Sequence, residues 1–463
     1  MTFRTKLLIA LLITGVIRGL YNVFIPLHPD EAYYWLWSRY IDWSYYDHPG
    51  MTAWMIRLLS FAGDSEGAVR LTAVFCMTGA GYALSMLSYK IKGENAGWLC
   101  FIAFASLPAT AMGYAFVTPD SPLILFWCLS LYWGLLAVTG EGKRYFIMTG
   151  VAIALMITGK YTAVLFPASL FFYILLFDRS LFRDKYTWLA CLIGMCGIIP
   201  IVIWNMQHDW ISIKFQYQHG TSKSFRILWD EFLILLGGIQ LLPTPVFAFI
   251  IYKVSFYFKG YRKEQWFKYI FTIFLVPTLF FLYKGLFRKM ELNWPVIGFL
   301  SALSLLAVYV ADGYHRKLYK TGIVFAAAAT AIMMMTPFLP LPDKINISRR
   351  LLGYKEAVEE LSAVAPPDAG TQYFSNHLTV ASIMAYYLKG HPRVYIPVNS
   401  RYSQFDIWDS GADYSGMKGY YLGFNDKGEE LANIFGGAEL IKEFSTISRK
   451  FYIYKTEPAP LLK

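Results

Sequence analysis

Between residues 7 and 339 the chain is a succession of apolar runs, most of them about 17–25 residues long, the length a helix needs to cross a bilayer core of about 30 Å. They lie near 7–25, 66–88, 96–115, 121–139, 145–159, 161–177, 187–204, 228–251, 267–283, 294–311 and 321–339. Segments in lipid must satisfy their backbone polar groups internally. The expectation is therefore an all-α polytopic membrane protein with about eleven transmembrane helices. Charge content agrees: 16% of residues are charged, against about 25% in soluble domains. The first run follows Met-Thr-Phe-Arg-Thr-Lys, exceeds a signal-peptide core and precedes no small-residue cleavage site, so it reads as an uncleaved helix.

An odd number of spans puts the termini on opposite sides. With the N-terminus cytoplasmic, the cytoplasmic loops are 89–94, 140–144, 178–185, 253–264 and 312–320, and each is short and basic. The net charge of +11 is thereby used for orientation. No basic aromatic platform of the kind single-stranded nucleic acid needs is present, so nucleic acid is excluded as a partner. All five cysteines fall in apolar runs without metal-ligand spacing and read as small buried hydrophobes. After about Leu341 charge rises, Pro366-Pro367 punctuates, and short β-rich runs (393–398, 419–423, 450–454) alternate with helical stretches (350–363, 379–388). The chain thus divides into a transmembrane domain, 1–340, whose first outer loop spans about 26–65, and a small extracytoplasmic α/β domain, 341–463.

Chemistry concentrates in the outer loop from His28 to Gly50. It holds Asp30, Glu31, Asp42 and Asp47 between His28 and His48, interleaved with aromatic rings. Tyr33, Tyr34, Trp35, Trp37, Tyr40 and Trp43 read mostly as an interfacial aromatic belt, and Asp42 as a helix-end residue. Asp30-Glu31 after Pro29 also fits the first turn of a helix. His28 and His48 with the neighbouring acids could hold a divalent metal, but the spacing matches no dedicated motif and no cofactor is called for. Asp120 occupies the next outer loop, and Asn205, His208, Asp209, Gln216 and His219 a later one. Lys160, at an apolar helix end, and Lys284, Arg288 and Lys289 are outer-side cations that the orientation rule leaves unexplained. Either they snorkel to the headgroups or they serve function. Carboxylates beside such cations suit a reaction with an anionic leaving group: a carboxylate deprotonates an acceptor hydroxyl and fixed cations stabilise charge developing on phosphate.

These residues, in this order, resemble the GT-C superfamily of polytopic glycosyltransferases that use polyprenyl-phosphate sugars. The resemblance is to the branch holding lipid A aminoarabinose transferases and protein O-mannosyltransferases. Asp30-Glu31 looks like that family's first-loop acidic motif, continued by the aromatic Tyr34. Gly67-Ala68-Val69-Arg70 looks like its entry into the second helix, and Thr118-Pro119-Asp120 like its second acidic position. Gly159-Lys160-Tyr161-Thr162 and Asn293-Trp294-Pro295 are weaker likenesses. The resemblance implies catalytic roles for Asp30, Glu31 and Asp120, with Asp30 as base and the other two supporting it by orientation or acceptor binding. It implies donor-phosphate contacts from Lys160, His48, Arg288 and Lys289, and substrate contacts from Tyr34, Asp47, Tyr161 and Asn293. The aminoarabinose transferases have Phe-Glu-Lys-Pro where this chain has Tyr46-Asp47-His48-Pro49, and an arginine where it has Tyr33.

The implied function is transfer of a sugar from a polyprenyl-phosphate donor to lipid A, lipopolysaccharide or another envelope glycan or protein. It would take place on the far side of a bacterial inner membrane, with inversion, and membrane lipids as further partners. The cytoplasmic loops are too short for a nucleotide-sugar domain. A transporter or flippase of a lipid-linked sugar is the alternative. It predicts ionisable residues at the midplane and internal repeats, whereas these charges sit at one face and no repeat is visible. A non-catalytic scaffold with a sensory outer domain is a third reading.

Overall fold

The computed structural model describes residues 1–220, 227–342, 346–365, 370–397, 401–447 and 449–460. The Pro366-Pro367 pair, Val398 and the His219 side chain lie outside the described residues. Up to Phe338 the chain is almost wholly helical, and a five-stranded sheet with helices follows.

By length and composition five helices among the described residues suffice to cross a membrane: Glu66–Ser106, Asp120–Val138, Lys185–Gln207, Gln265–Gly285 and Arg316–Phe338. A sixth arises if Trp229–Leu241 and Thr244–Tyr257, bent by 92° at Pro243, count as one span. The apolar runs are thus cut more finely than their hydropathy suggests, because turn-forming residues interrupt them. Glu66–Ser106 breaks at Gly93, whose φ of 74° only glycine adopts readily. That break separates the two runs near 66–88 and 96–115. Outward faces remain apolar, as on Trp188, Leu192, Met195 and Ile199, which lipid suits. Cys76, Cys100 and Cys128 are buried, but Cys191 and Cys196 are exposed on this outward face, correcting the expectation for those two.

The five basic loops meet at one end of the bundle. Lys90 pairs with Glu141 and Lys92 with Asp312, both at 2.7 Å, and the Tyr261 hydroxyl donates to Asp312. Gln265 donates to the Val138 carbonyl and to Asp178, at 3.0 and 3.3 Å.

The opposite end is organised by one buried ion pair. The first helix, Phe3–Asn22, stops short of Pro29, and a second helix, Pro29–Arg39, starts with a capping box. His28 Nδ1 accepts from the Asp30 N–H while the Glu31 carboxylate accepts from the His28 N–H. Glu31 is 1% exposed and also accepts from Arg70 (Nη2, 2.6 Å; Nε, 3.0 Å) and from the Val117 N–H (2.9 Å). Arg70 places its remaining N–H groups on the carbonyls of Asn22, Ile25 and Pro26. All five guanidinium donors are used.

The C-terminal sheet has the order β2-β1-β3-β5-β4, with β1 Gln372–Phe374, β2 Val394–Tyr395, β3 Gly419–Gly423, β4 Ala438–Ser445 and β5 Lys450–Thr456. β1 runs parallel to β2 and β3, and β5 antiparallel to β3 and β4. Helix Leu378–Tyr387 connects β1 to β2 and packs on the Pro29–Arg39 helix. Tyr33, Tyr34, Trp35 and Trp37 are therefore buried in one core with Tyr354, Tyr373, Ile383 and Tyr386. That overturns the belt reading for these four, because the sheet layer covers them. Tyr40 and Trp43 remain exposed.

Removing one partner of a buried, hydrogen-bonded ion pair strands the other charge. Glu31→Gln or Arg70→Met should each cost about 3–5 kcal/mol, read as a lowered unfolding temperature in detergent, while Glu31→Leu with Arg70→Met should cost less than the sum. Single substitutions costing under about 1 kcal/mol would remove the pair from this structural role.

Candidate active site

Three acidic segments converge beyond the Glu31–Arg70 pair. Asp30, on the first turn of its helix, has a side chain 56% exposed. Its Oδ2 lies 3.7 Å from His28 Nδ1, but that nitrogen serves as the cap acceptor and so has no proton to offer the carboxylate. Asp47 sits in a turn closed by the Tyr45 N–H donating to the His48 carbonyl (3.1 Å). Tyr33 donates to its Oδ2 at 3.0 Å, Arg401 to Oδ1 at 3.2 Å, and Gln216 to its carbonyl at 2.8 Å. Burial pushes the Asp47 carboxyl above the usual range; Arg401 and the Tyr33 hydroxyl pull it back, and Asp30 adds to the rise. Tyr34, buried and in the field of Asp30, Asp47 and Asp120, holds its hydroxyl proton well beyond the ordinary phenol range.

Asp120 opens helix Asp120–Val138 with its N–H bonded to the Thr118 hydroxyl at 3.2 Å. Lys160 Nζ is 2.7 Å from its Oδ1, and Asn293 Nδ2 donates to Oδ2 at 3.0 Å. Lys160 is on extended backbone where helix Arg144–Ile157 ends, its ammonium 5.6 Å from the centre of the Trp294 ring. Gly159 permits the approach: a Cβ there would lie 3.2 Å from the Met156 carbonyl and 3.4 Å from Leu123 N. The same break anchors the outer loop, since the Met51 N–H donates to the Thr158 carbonyl at 2.9 Å. Three short motifs far apart in sequence thus form one ion-paired group.

His48 keeps some exposed surface, but its Nδ1 is enclosed without a partner among the described residues. Burial, with the positive fields of Lys160 and Arg401 adding to it, pushes its pKa down to about 3. The ring is thus neutral near neutral pH in this environment, which suits contact by neutral hydrogen bonding. Glu31 is fully occupied by backbone N–H groups and Arg70, which fits orientation and leaves it no acceptor contact. Tyr161 shares a 2.7 Å hydrogen bond with Ser212. Arg288 donates to the Gln218 carbonyl, on the helix whose Gln216 holds Asp47, and Lys289 is exposed. Asp42 lies beyond its helix and accepts from the Trp204 indole at 2.9 Å. No three His, Cys, Asp or Glu side chains among the described residues converge as a metal site would require, and His28 and Glu31 are committed to the cap.

Arg401 and Gln404 have no counterpart among the sequence expectations. Gln404 donates its N–H to the Tyr33 hydroxyl and accepts from the Tyr46 N–H, both at 2.8 Å. Its only local signal is Ser403-x-x-Asp406, which forms a capping box.

Against known proteins, this architecture superposes on ArnT from Cupriavidus metallidurans with a TM-score of 0.72 in the apo state, at 13% identity, over 98% of both chains. For the undecaprenyl phosphate-bound state of that protein the TM-score is 0.74, over 97% of this chain and 98% of that one. The fold is GT-C. Residues 47–204 match the dolichyl-phosphate-mannose-protein mannosyltransferase family. Lipid A galacturonosyltransferase RgtD of Rhizobium johnstonii is 23% identical over 359 residues, 74% of this chain and 73% of that protein. The acidic group stands at the end of this bundle opposite the basic loops.

The His48 environment fixes the sign of one pH effect. Its native pKa lies below the unfolded value of 6.5, so the imidazole affects stability only below that pH. As pH falls from there toward 3 the unfolded chain takes up a proton that the native chain refuses, and stability is lost. His48→Asn should abolish about 1–2 kcal/mol of the loss between about pH 7.5 and about pH 5, measured by comparing unfolding temperatures of the two proteins. Equal acid sensitivity in both would show that the imidazole is not shielded.

Proposed function

We propose that the chain is an inverting glycosyltransferase that moves a sugar from a polyprenyl-phosphate donor to an acceptor in the cell envelope. The carrying observation is the convergence of Asp30, Asp47 and Asp120 with Lys160 and Arg401 at one end of the bundle, away from the basic loops. The relatives add to it: one is named as a lipid A galacturonosyltransferase and one was captured with undecaprenyl phosphate. By the positive-inside rule the end holding the basic loops is cytoplasmic, so the site and the C-terminal sheet face the far side of a bacterial inner membrane. A phosphorylated lipid such as lipid A is the favoured acceptor class.

Asp30 is the general base. It is the most exposed of the three converging carboxylates, and its place on a helix first turn orients it. The acceptor hydroxyl loses its proton to Asp30 as its oxygen bonds to the anomeric carbon. The bond from that carbon to the phosphate oxygen breaks, and polyprenyl phosphate leaves with the electron pair. Lys160 meets the charge developing on that phosphate, while Asp120 and Asn293 hold the lysine in place. Asp47 and Tyr34 contact substrate, and Tyr161 lies one layer behind. Where the acceptor is itself a phosphate, Asp30 acts chiefly by positioning.

In proteoliposomes supplied with polyprenyl-phosphate sugar and a lipid acceptor, Asp30→Asn should lower turnover by about 10²–10⁴-fold while donor binding persists. Turnover equal to wild type would remove Asp30 from the chemical step. Movement of the donor between leaflets without its consumption, in wild type, would replace the enzyme with a transporter.

A further inference from the structure

The two cations of the site are held very differently. Lys160 has a side chain 9% exposed and meets Asp120 at 2.7 Å, so its charge is already matched at short range. Arg401 has a side chain 55% exposed and reaches Asp47 through Nη2 at 3.2 Å, with its guanidinium 5.7 Å from the centre of the Phe215 ring. The looser contact belongs to the group with the better anion-binding geometry, because a guanidinium offers a planar fork that matches two phosphate oxygens. Its mount is firm: three residues on, Gln404 is fixed to Tyr33 and Tyr46, and the Ser403–Asp406 capping box sets the turn between them. Arg401 also stands where the charges are short. Among the described residues, Lys160 and Arg401 are the cations paired with Asp120 and Asp47. An incoming phosphate therefore needs a cation that can exchange its present partner.

We propose that Arg401, supplied by the C-terminal segment, binds an anionic phosphate oxygen of a substrate, with Asp47 as its resting counterion. The inference rests on the glycosyl-transfer reading. Phosphate is offered by two sources, the leaving group of the lipid-linked donor and a phosphorylated lipid acceptor, and the chemistry of recognition is the same for both. Asp47 thus holds the arginine in place between turnovers, and Tyr33, on its other oxygen, keeps the carboxylate from following when the arginine swings to the ligand.

The test uses the full chain in nanodiscs with two probes, undecaprenyl phosphate and a bisphosphorylated acylated glucosamine disaccharide, each beside its phosphate-free analogue. Arg401→Gln should weaken binding of at least one phosphate probe about tenfold and leave the phosphate-free analogues unchanged. Loss confined to undecaprenyl phosphate assigns the donor, and loss confined to the disaccharide assigns the acceptor. Arg401→Lys, which keeps the charge and loses the fork, should fall between and serves where Arg401→Gln does not fold. Wild-type affinity in the Arg401 variants, or equal weakening of the phosphate probes and their phosphate-free analogues, overturns the assignment while glycosyl transfer stands. Wild type binding neither phosphate probe overturns both.

Discussion

Everything at the active end hangs on the contact between Glu31 and Arg70. A guanidinium with all five N–H groups satisfied and a carboxylate taking hydrogen bonds from three directions weld four separate stretches of chain: the exit of the first helix, the start of the Pro29–Arg39 helix, the entry to the next apolar helix and the segment before Asp120. The charges are costly to desolvate, and a hydrophobic pair of similar volume is often as stable. What an apolar pair lacks is direction. The angular demands of these hydrogen bonds place Asp30, one residue earlier, facing outward, and bring the Val117–Asp120 segment alongside it. The acid next to the proposed base is thus the fastener that aims it.

A second theme is the inequality of carboxylates that look alike in sequence. Glu31 is buried against a guanidinium; Asp120 is tied to an ammonium and an amide; Asp47 is shared between a phenol and an arginine; Asp30 alone projects into the open. Environment sorts them into fastener, lysine-holder, arginine-holder and the exposed acid proposed as base. A histidine whose pKa is pushed down by burial and by two nearby cations completes the set.

Much of this was legible in the sequence, because hydrophobic runs and charged loops report directly on solvent. The basic loops meet at one end, and Asp120, Lys160 and Asn293 meet at the other, although 173 positions separate the first and last. The runs misled where local breakers act: Gly93, the Thr158-Gly159 turn and Pro243 divide apolar sequence without changing its hydropathy. The loop aromatics misled because an exposed belt and a core covered by a distant layer have the same composition. β1, only three residues long, and β4, an edge strand carrying Glu439, Lys442 and Glu443, lack the apolar alternation that marks β5. Arg401 was invisible for a different reason. A cation in polar sequence acquires meaning only from what folds against it, and its partner lies 354 positions away.

That separation has a bearing on how the protein is made. The outer loop leaves the ribosome early, yet its aromatic rings share one core with the C-terminal layer, and Leu27 and Tyr46 are bonded to Tyr387 and Gln404. Contacts of such span form late, since their chain-closure entropy has to be met before they return anything. During synthesis the loop must wait, unpaired, while nearly the whole bundle is threaded into the bilayer. A chain interrupted anywhere before residue 404 carries the acidic motif but not its walls.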